Sequence, residues 1–139
     1  MPTRPRQGFL QDAARLLDEG TPWAGLGGDS LAFVLARVAA EGRWLVVVDD
    51  ADRAERLLSG LRFFHADPKR VEPFPADDHR PYDGFSASAS VVAARLRTLE
   101  RVARKGDLIV VAEARALRQR IPDRATRRKG TRQISVGDT

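Results

Sequence analysis

The chain has 139 residues, with 24 Lys and Arg against 19 Asp and Glu, and a formal net charge of +5 at pH 7. This length is typical of one compact soluble domain, and the absence of cysteine excludes disulfides, thiol chemistry and the common zinc ligand sets. No stretch reaches the roughly 18 uninterrupted apolar residues of a membrane span, and the first residues lack the apolar run of a signal peptide, so we expect a cytoplasmic protein with no membrane partner.

The N-terminal part of the chain predicts two helices joined by a flexible segment. Apolar residues at helical spacing predict a helix over residues 8–19, namely Phe9, Ala13, Leu16 and Leu17. Residues 23–30 are rich in small residues and lead into a second helix, Leu31 to Glu41. Asp29 or Ser30 is the expected N-cap of that helix, because their side chains accept hydrogen bonds from free backbone amides.

The next part of the chain alternates strands with helices. The continuous apolar run from Arg43 to Val48 is typical of a strand buried on both faces of a parallel sheet. Asp49 and Asp50 then end the strand and cap a helix from Ala51 to Phe64; capping is favoured over Mg²⁺ binding because no phosphate-loop lysine accompanies these carboxylates. A short strand is predicted at residues 71–74.

The C-terminal part repeats the alternation after a proline-rich loop. A long helix is predicted from Ser86 or Ser88 to Lys105, with one apolar stripe made of Val91, Val92, Leu96, Leu99 and Val102. A second buried strand is predicted over residues 107–112 and a short helix over residues 113–121. Strands alternating with helices predict an α/β fold with parallel pairing and helices on both faces of the sheet. Residues 123–139 are basic and polar, and Ile134 and Val136 in that segment are compatible with a strand.

The glycine-rich segment before the second helix stands where α/β proteins bind phosphates. On the pattern G-x-x-x-x-G-K-[ST], Gly25 takes the first position, but the later positions fall on Ser30, Leu31 and Ala32. An aliphatic chain and a methyl group replace the ammonium and hydroxyl that phosphoryl transfer needs, and Asp29 adds a repulsive charge. We therefore interpret this segment as a tight loop that caps a helix, with weak anion binding as the alternative. Its residues are Gly25, Gly28, Asp29, Ser30, Leu31 and Ala32.

Charge is distributed unevenly along the chain. Residues 1–94 hold 11 basic and 14 acidic residues, a net of −3, whereas residues 95–139 hold 13 and 5, a net of +8; the two add to the net +5. The long helix carries a partly one-sided basic face formed by Arg95, Arg97, Arg101, Arg104 and Lys105. A solvated face is the default interpretation, and contact with nucleic acid or with an acidic protein is the alternative.

The remaining polar and aromatic residues give no catalytic pattern. Tyr82, Asp83 and Phe85 lie in the proline-rich loop, where they either pin the loop to the core or, with Arg95, form a partner surface. His65 and His79 are too isolated for a metal site and are expected to be solvated. The acidic residues Asp77, Asp78 and Asp83 have no base, metal ligand or nucleophile near them in sequence.

One block of sequence carries a resemblance to a known family. Residues 74–86, Phe-Pro-Ala-Asp-Asp-His-Arg-Pro-Tyr-Asp-Gly-Phe-Ser, continue to Arg95-Leu96-Arg97-Thr98-Leu99 and resemble the N-terminal part of the bacterial transcription-repair coupling factor family. The order of parts is also similar, because a degenerate phosphate loop precedes this block and a strand follows it. The resemblance covers about residues 9–136. Ala87 stands where proline is common in the family, and Asp77 where an aromatic residue is common.

The resemblance implies both a fold and a function. Proteins of this family are ATP-driven DNA translocases that displace stalled RNA polymerase and recruit the repair protein UvrA. Their N-terminal region resembles UvrB and has a RecA-like, phosphate-loop NTPase type of three-layer fold without a working nucleotide site. By this resemblance, residues 1–122 form the first helicase-like domain and residues 123–139 lead into a following domain that carries the UvrA contact. RNA polymerase and DNA would be partners of the longer protein.

The sequence is therefore consistent with three hypotheses. The first is a non-catalytic scaffold or adaptor domain in transcription-coupled repair, with no enzyme activity of its own, no cofactor and no metal. The second is a nucleotide-binding or weakly ATP-hydrolysing helicase fragment that uses Gly25 to Ser30. The third is a nonspecific DNA-binding module built from residues 95–132.

Overall fold

The computed structural model describes Arg15, Glu19, Gly20, residues 22–77 and residues 88–130. Helices and parallel strands alternate along these residues, as the hydrophobic periodicity predicts. In chain order the elements are α1 (Ser30–Val38), β1 (Arg43–Val48), α2 (Ala51–Phe64), a 3₁₀ turn (Pro68–Arg70), β2 (Val71–Phe74), α3 (Ala89–Ala103), β3 (Leu108–Glu113), a 3₁₀ turn (Ala116–Arg118) and α4 (Arg124–Gly130).

The three strands of the described residues form one parallel sheet in the order β1-β3-β2. Arg43 of β1 is opposite Leu108 of β3, and Val71 of β2 is opposite Ile109. The α/β class and the parallel pairing predicted from sequence are confirmed, and the layout is compatible with a RecA-like domain. None of the described helices is both long and apolar enough to cross a membrane.

Helices cover the sheet from two sides. Ile109 and Val111 of β3 pack with α1 and α2 on one face, whereas Leu108, Val110 and Ala112 point to the other face because successive strand residues alternate in direction. On that second face Leu99 of α3 packs against the sheet. The first face holds the larger core, in which Leu61 of α2 is 0% exposed and contributes about 2–3 kcal/mol by burial.

Two arginines fasten the loops at the amino ends of the strands. The guanidinium of Arg43 donates to the carbonyl oxygens of Val102 and Arg104, each at 2.7 Å, and so binds carbonyl groups at the end of α3 that have no partner within the helix. Arg70 donates to the Ala40 carbonyl at 2.7 Å and forms an ion pair with Asp107. Asp107 in turn accepts the amide hydrogen of Gly42 at 2.8 Å, which joins the start of β1 to the start of β3.

The environment of β1 differs from the prediction. A strand buried on both faces was expected, but β1 lies at the edge of the described sheet, and its side chains alternate between partly covered and exposed. Leu45 is 57% exposed and Val47 is 48% exposed. The apolar run correctly predicts a strand, but it does not indicate which elements of the fold cover that strand.

The long helix α3 also packs differently from the prediction. The predicted apolar stripe is covered only in part: Leu99 packs against the sheet, whereas Val92, Leu96 and Val102 are 39%, 36% and 44% exposed. The buried residues of α3 are instead Arg95 and Thr98. Thr98 donates its hydroxyl hydrogen to the Pro73 carbonyl at 2.6 Å, so hydrogen bonds to the chain at β2 set the rotation of the helix.

The helix predicted over residues 113–121 is absent, which corrects a further expectation. Glu113 is the last residue of β3, and only a 3₁₀ turn at Ala116–Arg118 follows it. Parallel pairing of Glu113 with Val48 extends the strand, and Gln119 is held by hydrogen bonds to Asp77. The predicted helix at 8–19, apart from Arg15 and Glu19, and the strand at Ile134 and Val136 lie outside the described residues.

Candidate functional site

The glycine-rich segment before α1 lies at the carboxyl end of β1, where ligand crevices of α/β folds are found. Leu26 and Gly28 line a cavity of about 280 Å³ together with Val48, the last residue of β1, and with Arg53 and Arg56 of α2. Gly28 is one of the residues that the sequence analysis assigned to this loop. The two arginines were not predicted, although their place three residues apart at the start of the helix after the strand is a signal that could have identified them.

The loop has the backbone geometry of a tight turn. Gly25 and Gly28 have positive φ angles of 79° and 55°, in the left-handed region that favours glycine. The Ser30 hydroxyl donates to the Gly27 carbonyl at 2.6 Å. Asp29 occupies the N-cap position of α1, but its side chain makes no capping hydrogen bond there. The loop thus enters the helix as predicted, but the turn is stabilised through Ser30.

The two positions that would carry the nucleotide chemistry belong to the core. Ala32 is 3% exposed, and Leu31 packs against the same apolar cluster. A Cβ placed on Gly60 of α2 would lie only 2.6 Å from the Ala32 Cβ, so the two helices are in contact at this point. A serine or threonine at position 32 would place its hydroxyl in this contact, which has no room even for one methyl group added at Gly60.

The carboxylates after β1 have structural partners. Asp50 accepts the Arg53 backbone amide hydrogen at 2.7 Å and caps α2, and Asp49 forms an ion pair with the Arg53 guanidinium at 2.9 Å. The prediction that this pair caps a helix is confirmed for Asp50. No group of three or more His, Cys, Asp or Glu side chains suited to a metal ion occurs among the described residues. The cavity therefore offers cationic side chains but no metal-binding cluster.

Arg95, predicted as part of a partner surface, is buried in a polar cluster at the end of β2. Its side chain is stacked on the Phe74 ring with 4.5 Å from the guanidinium carbon to the ring centroid, and it donates to the Pro75 carbonyl at 2.8 Å. It also donates to the Gln119 side-chain oxygen at 3.1 Å. Burial lowers the pKa of Arg95, and the negative charges of Asp77 and Glu113 act in the opposite direction.

This cluster fixes the start of the proline-rich segment. Glu113, which is 8% exposed, accepts the Ala76 amide hydrogen at 3.0 Å. Gln119 accepts the Asp77 amide hydrogen at 2.7 Å and donates to the Asp77 carbonyl at 3.0 Å. Tyr82, Asp83 and Phe85, the other predicted residues of the partner surface, lie outside the described residues, as do Asp78 and His79.

The predicted DNA contacts on α3 have different environments. Arg101 donates to the Lys69 carbonyl at 2.9 Å and lies 3.5 Å from the Glu72 carboxylate, so it is used to attach α3 near β2. Arg104 forms an exposed ion pair with Glu100 at 3.6 Å. Arg97 and Lys105 are exposed. Arg104 also lines a small cavity of about 170 Å³ with Arg124 and Arg127 of α4, so the basic surface continues beyond the long helix.

His65 was expected to be solvated, and this expectation is wrong. The residue is 6% exposed. Its Nδ1 accepts the Asp67 amide hydrogen at 3.0 Å, and its Nε2 lies 3.4 Å from the Ala39 carbonyl oxygen. Through these contacts the ring joins the end of α2 to the end of α1. No local sequence pattern predicts this contact, because Ala39 and His65 are 26 residues apart along the chain.

No protein-family model, curated protein or solved structure matches this chain.

Proposed function

We propose that this chain is a catalytically silent RecA-like domain that serves as a scaffold or adaptor in transcription-coupled DNA repair. The observation that carries the proposal is the packing of Leu31 and Ala32 into the core at the two positions where a working nucleotide loop has lysine and a hydroxyl. A domain that keeps the loop and its place at the end of β1, but fills the reactive positions with apolar contacts, is suited to structure and binding.

Contacts within the block that resembles the coupling-factor family support the proposal. The Phe-Pro pair at 74–75 and Arg95 lie 20 residues apart in sequence, yet the Arg95 guanidinium covers the Phe74 ring and binds the Pro75 carbonyl. This contact joins the two ends of the block that carries the resemblance, residues 74–75 and the helix α3. The parallel β1-β3-β2 sheet with helices on both faces is compatible with the RecA-like layout.

The role of the domain in this proposal is to hold neighbouring parts in place. UvrA would be bound through an adjoining domain, and RNA polymerase and DNA through the remainder of a longer protein. The chain would bind neither ATP nor Mg²⁺ itself, because the described site provides no hydroxyl at position 32 and no lysine at position 31.

A strand-specific repair assay tests this proposal. After ultraviolet irradiation, lesion removal is measured separately on the transcribed and non-transcribed strands of an induced gene, in cells with and without the gene that encodes this chain. We expect deletion to lower repair of the transcribed strand to the rate of the non-transcribed strand. The control is the same gene without induction, where the two strands should be repaired alike. An unchanged preference for the transcribed strand after deletion would contradict the proposal.

A further inference from the structure

Three arginines from the end of α3 and from α4 meet around a small cavity. Arg104 follows directly after α3, which ends at Ala103, and Arg124 and Arg127 both belong to α4. All three line a cavity of about 170 Å³, together with Glu100 and Ala103. Residues three apart on a helix lie on the same side of it, so α4 contributes both of its arginines to this cavity. We call Arg104, Arg124 and Arg127 the arginine cluster.

The cavity has an excess of positive charge. Among the described residues that line it, three arginines stand against one acidic residue, Glu100, which gives a net charge of +2. Glu100 lies 3.6 Å from the Arg104 guanidinium in an ion pair open to solvent, which contributes little stability. Asp123 is used as a cap at the start of α4, where it accepts hydrogen bonds from Ala125 and Thr126. Like charges this close repel each other, and an anion bound between them lowers that repulsion.

The chemistry of the cluster favours a phosphate group as that anion. A guanidinium is planar, keeps its charge at physiological pH and has several N–H donors that match the oxygens of phosphate. The volume of about 170 Å³ is below the range of about 300–1,000 Å³ for sites that enclose a whole small molecule. The cavity therefore fits one phosphate group of a larger ligand. One exposed ionic contact contributes little affinity, so the ligand must present several phosphates in succession.

The basic surface continues from the cluster along α3. Arg97 is exposed and lies seven residues before Arg104. Both residues are therefore on the same side of the helix, about 10.5 Å apart along its axis. This distance corresponds to about three steps of 3.4 Å along one strand of B-DNA. Lys105 and Arg120, which are close to the cluster in sequence, are also exposed.

We propose that the arginine cluster binds the phosphate backbone of double-stranded DNA, with one phosphate in the cavity and Arg97 near a phosphate further along the same strand. The contact is independent of base sequence, because phosphate contacts position a protein on DNA without reading the bases. Arg101 is not part of this surface, because its guanidinium donates to the Lys69 carbonyl. The proposal adds a DNA contact of this chain itself to the proposed function, but it does not depend on that function.

Fluorescence anisotropy of a labelled DNA duplex of about 20 base pairs, titrated with the full chain, tests the proposal. We expect Arg104→Gln and Arg124→Gln each to weaken binding at least about threefold at about 50 mM salt, and to reduce the slope of log K against log[salt] by about 1. The control is Arg115→Gln, which removes the same charge from an exposed residue beyond the carboxyl end of β3. Because salt screens distant charges, the control should change the affinity less than about twofold.

Three results would overturn the proposal. The first is that the unaltered chain shows no measurable binding to the duplex at about 50 mM salt. The second is that Arg104→Gln and Arg124→Gln lose no more affinity than Arg115→Gln, which would mean that only the overall charge attracts DNA. The third is that poly-glutamate of equal charge displaces the labelled duplex as well as unlabelled duplex does, which would assign the cluster to an acidic protein.

Discussion

The variant Arg95→Ala should unfold with a free energy about 3 kcal/mol lower than that of the unaltered chain. Arg95 is 8% exposed and makes hydrogen bonds to the Pro75 carbonyl and the Gln119 side chain. Its removal leaves the Pro75 carbonyl without this hydrogen-bond donor, and an unsatisfied buried polar group typically costs about 1–3 kcal/mol. Lost stacking on Phe74 adds to this cost.

Urea unfolding followed by circular dichroism measures the effect. Arg97→Ala is the matched control, because Arg97 lies two residues away on the same helix and is exposed; its expected change is within about 0.5 kcal/mol. Arg95→Lys keeps the charge but loses the planar guanidinium, so its stability should lie between those of the unaltered chain and Arg95→Ala. If Arg95→Ala were no less stable than Arg97→Ala, the buried cluster would have no energetic role.

The variant Gly60→Val should lower the free energy of unfolding by about 3 kcal/mol. The added Cβ would lie 2.6 Å from the Ala32 Cβ, and both atoms belong to helices packed in the main core. Such overpacking typically costs about 1–3 kcal/mol and occasionally more, and valine adds two further methyl groups. The replacement of a helical glycine by valine recovers only a few tenths of a kcal/mol of helix propensity.

A double variant tests whether this loss comes from the contact with Ala32. In Ala32→Gly/Gly60→Ala the methyl group changes sides, so the double variant should be more stable than the sum of the two single changes predicts, by about 1 kcal/mol or more. Ser59→Ala, at an exposed neighbouring position, is the control and should change stability little. Strict additivity of the two single variants would mean that α1 and α2 do not meet at this point.

Local sequence patterns predicted most of the helices and strands, but not which elements pack beside each of them. The boundaries of α2 and the position of β2 agree with the prediction because capping by Asp50, the apolar spacing of the helix and the adjacent prolines are local signals. The exposure of β1 could not be predicted, because it depends on which elements lie beside the strand. The most deeply buried residues of α3 were not predicted for a similar reason: Arg95 and Thr98 are polar, and only their hydrogen bonds to Pro75 and Pro73 make their burial favourable.

In the candidate site, too, some features can be predicted from the sequence and others are visible only in the structure. The chemistry that the loop lacks is visible in the sequence at Leu31 and Ala32, because a nucleotide site needs particular functional groups at those positions. The reason that Ala32 is a core residue is visible only in the structure, since Gly60 comes from another helix. Arg53 and Arg56 likewise reach the cavity through the packing of α2.

A thermal-unfolding titration with Mg-ATP most directly tests the central claim that the loop is structural. A ligand that binds only the folded chain raises the free energy of unfolding by RT ln(1 + [L]/Kd), which is about 2.7 kcal/mol when the ligand is at 100 times its Kd. With Leu31 and Ala32 packed in the core, we predict that the melting temperature stays constant up to millimolar Mg-ATP. A saturable rise that is abolished by Gly28→Trp would contradict the account, because it would show that the loop still holds a nucleotide.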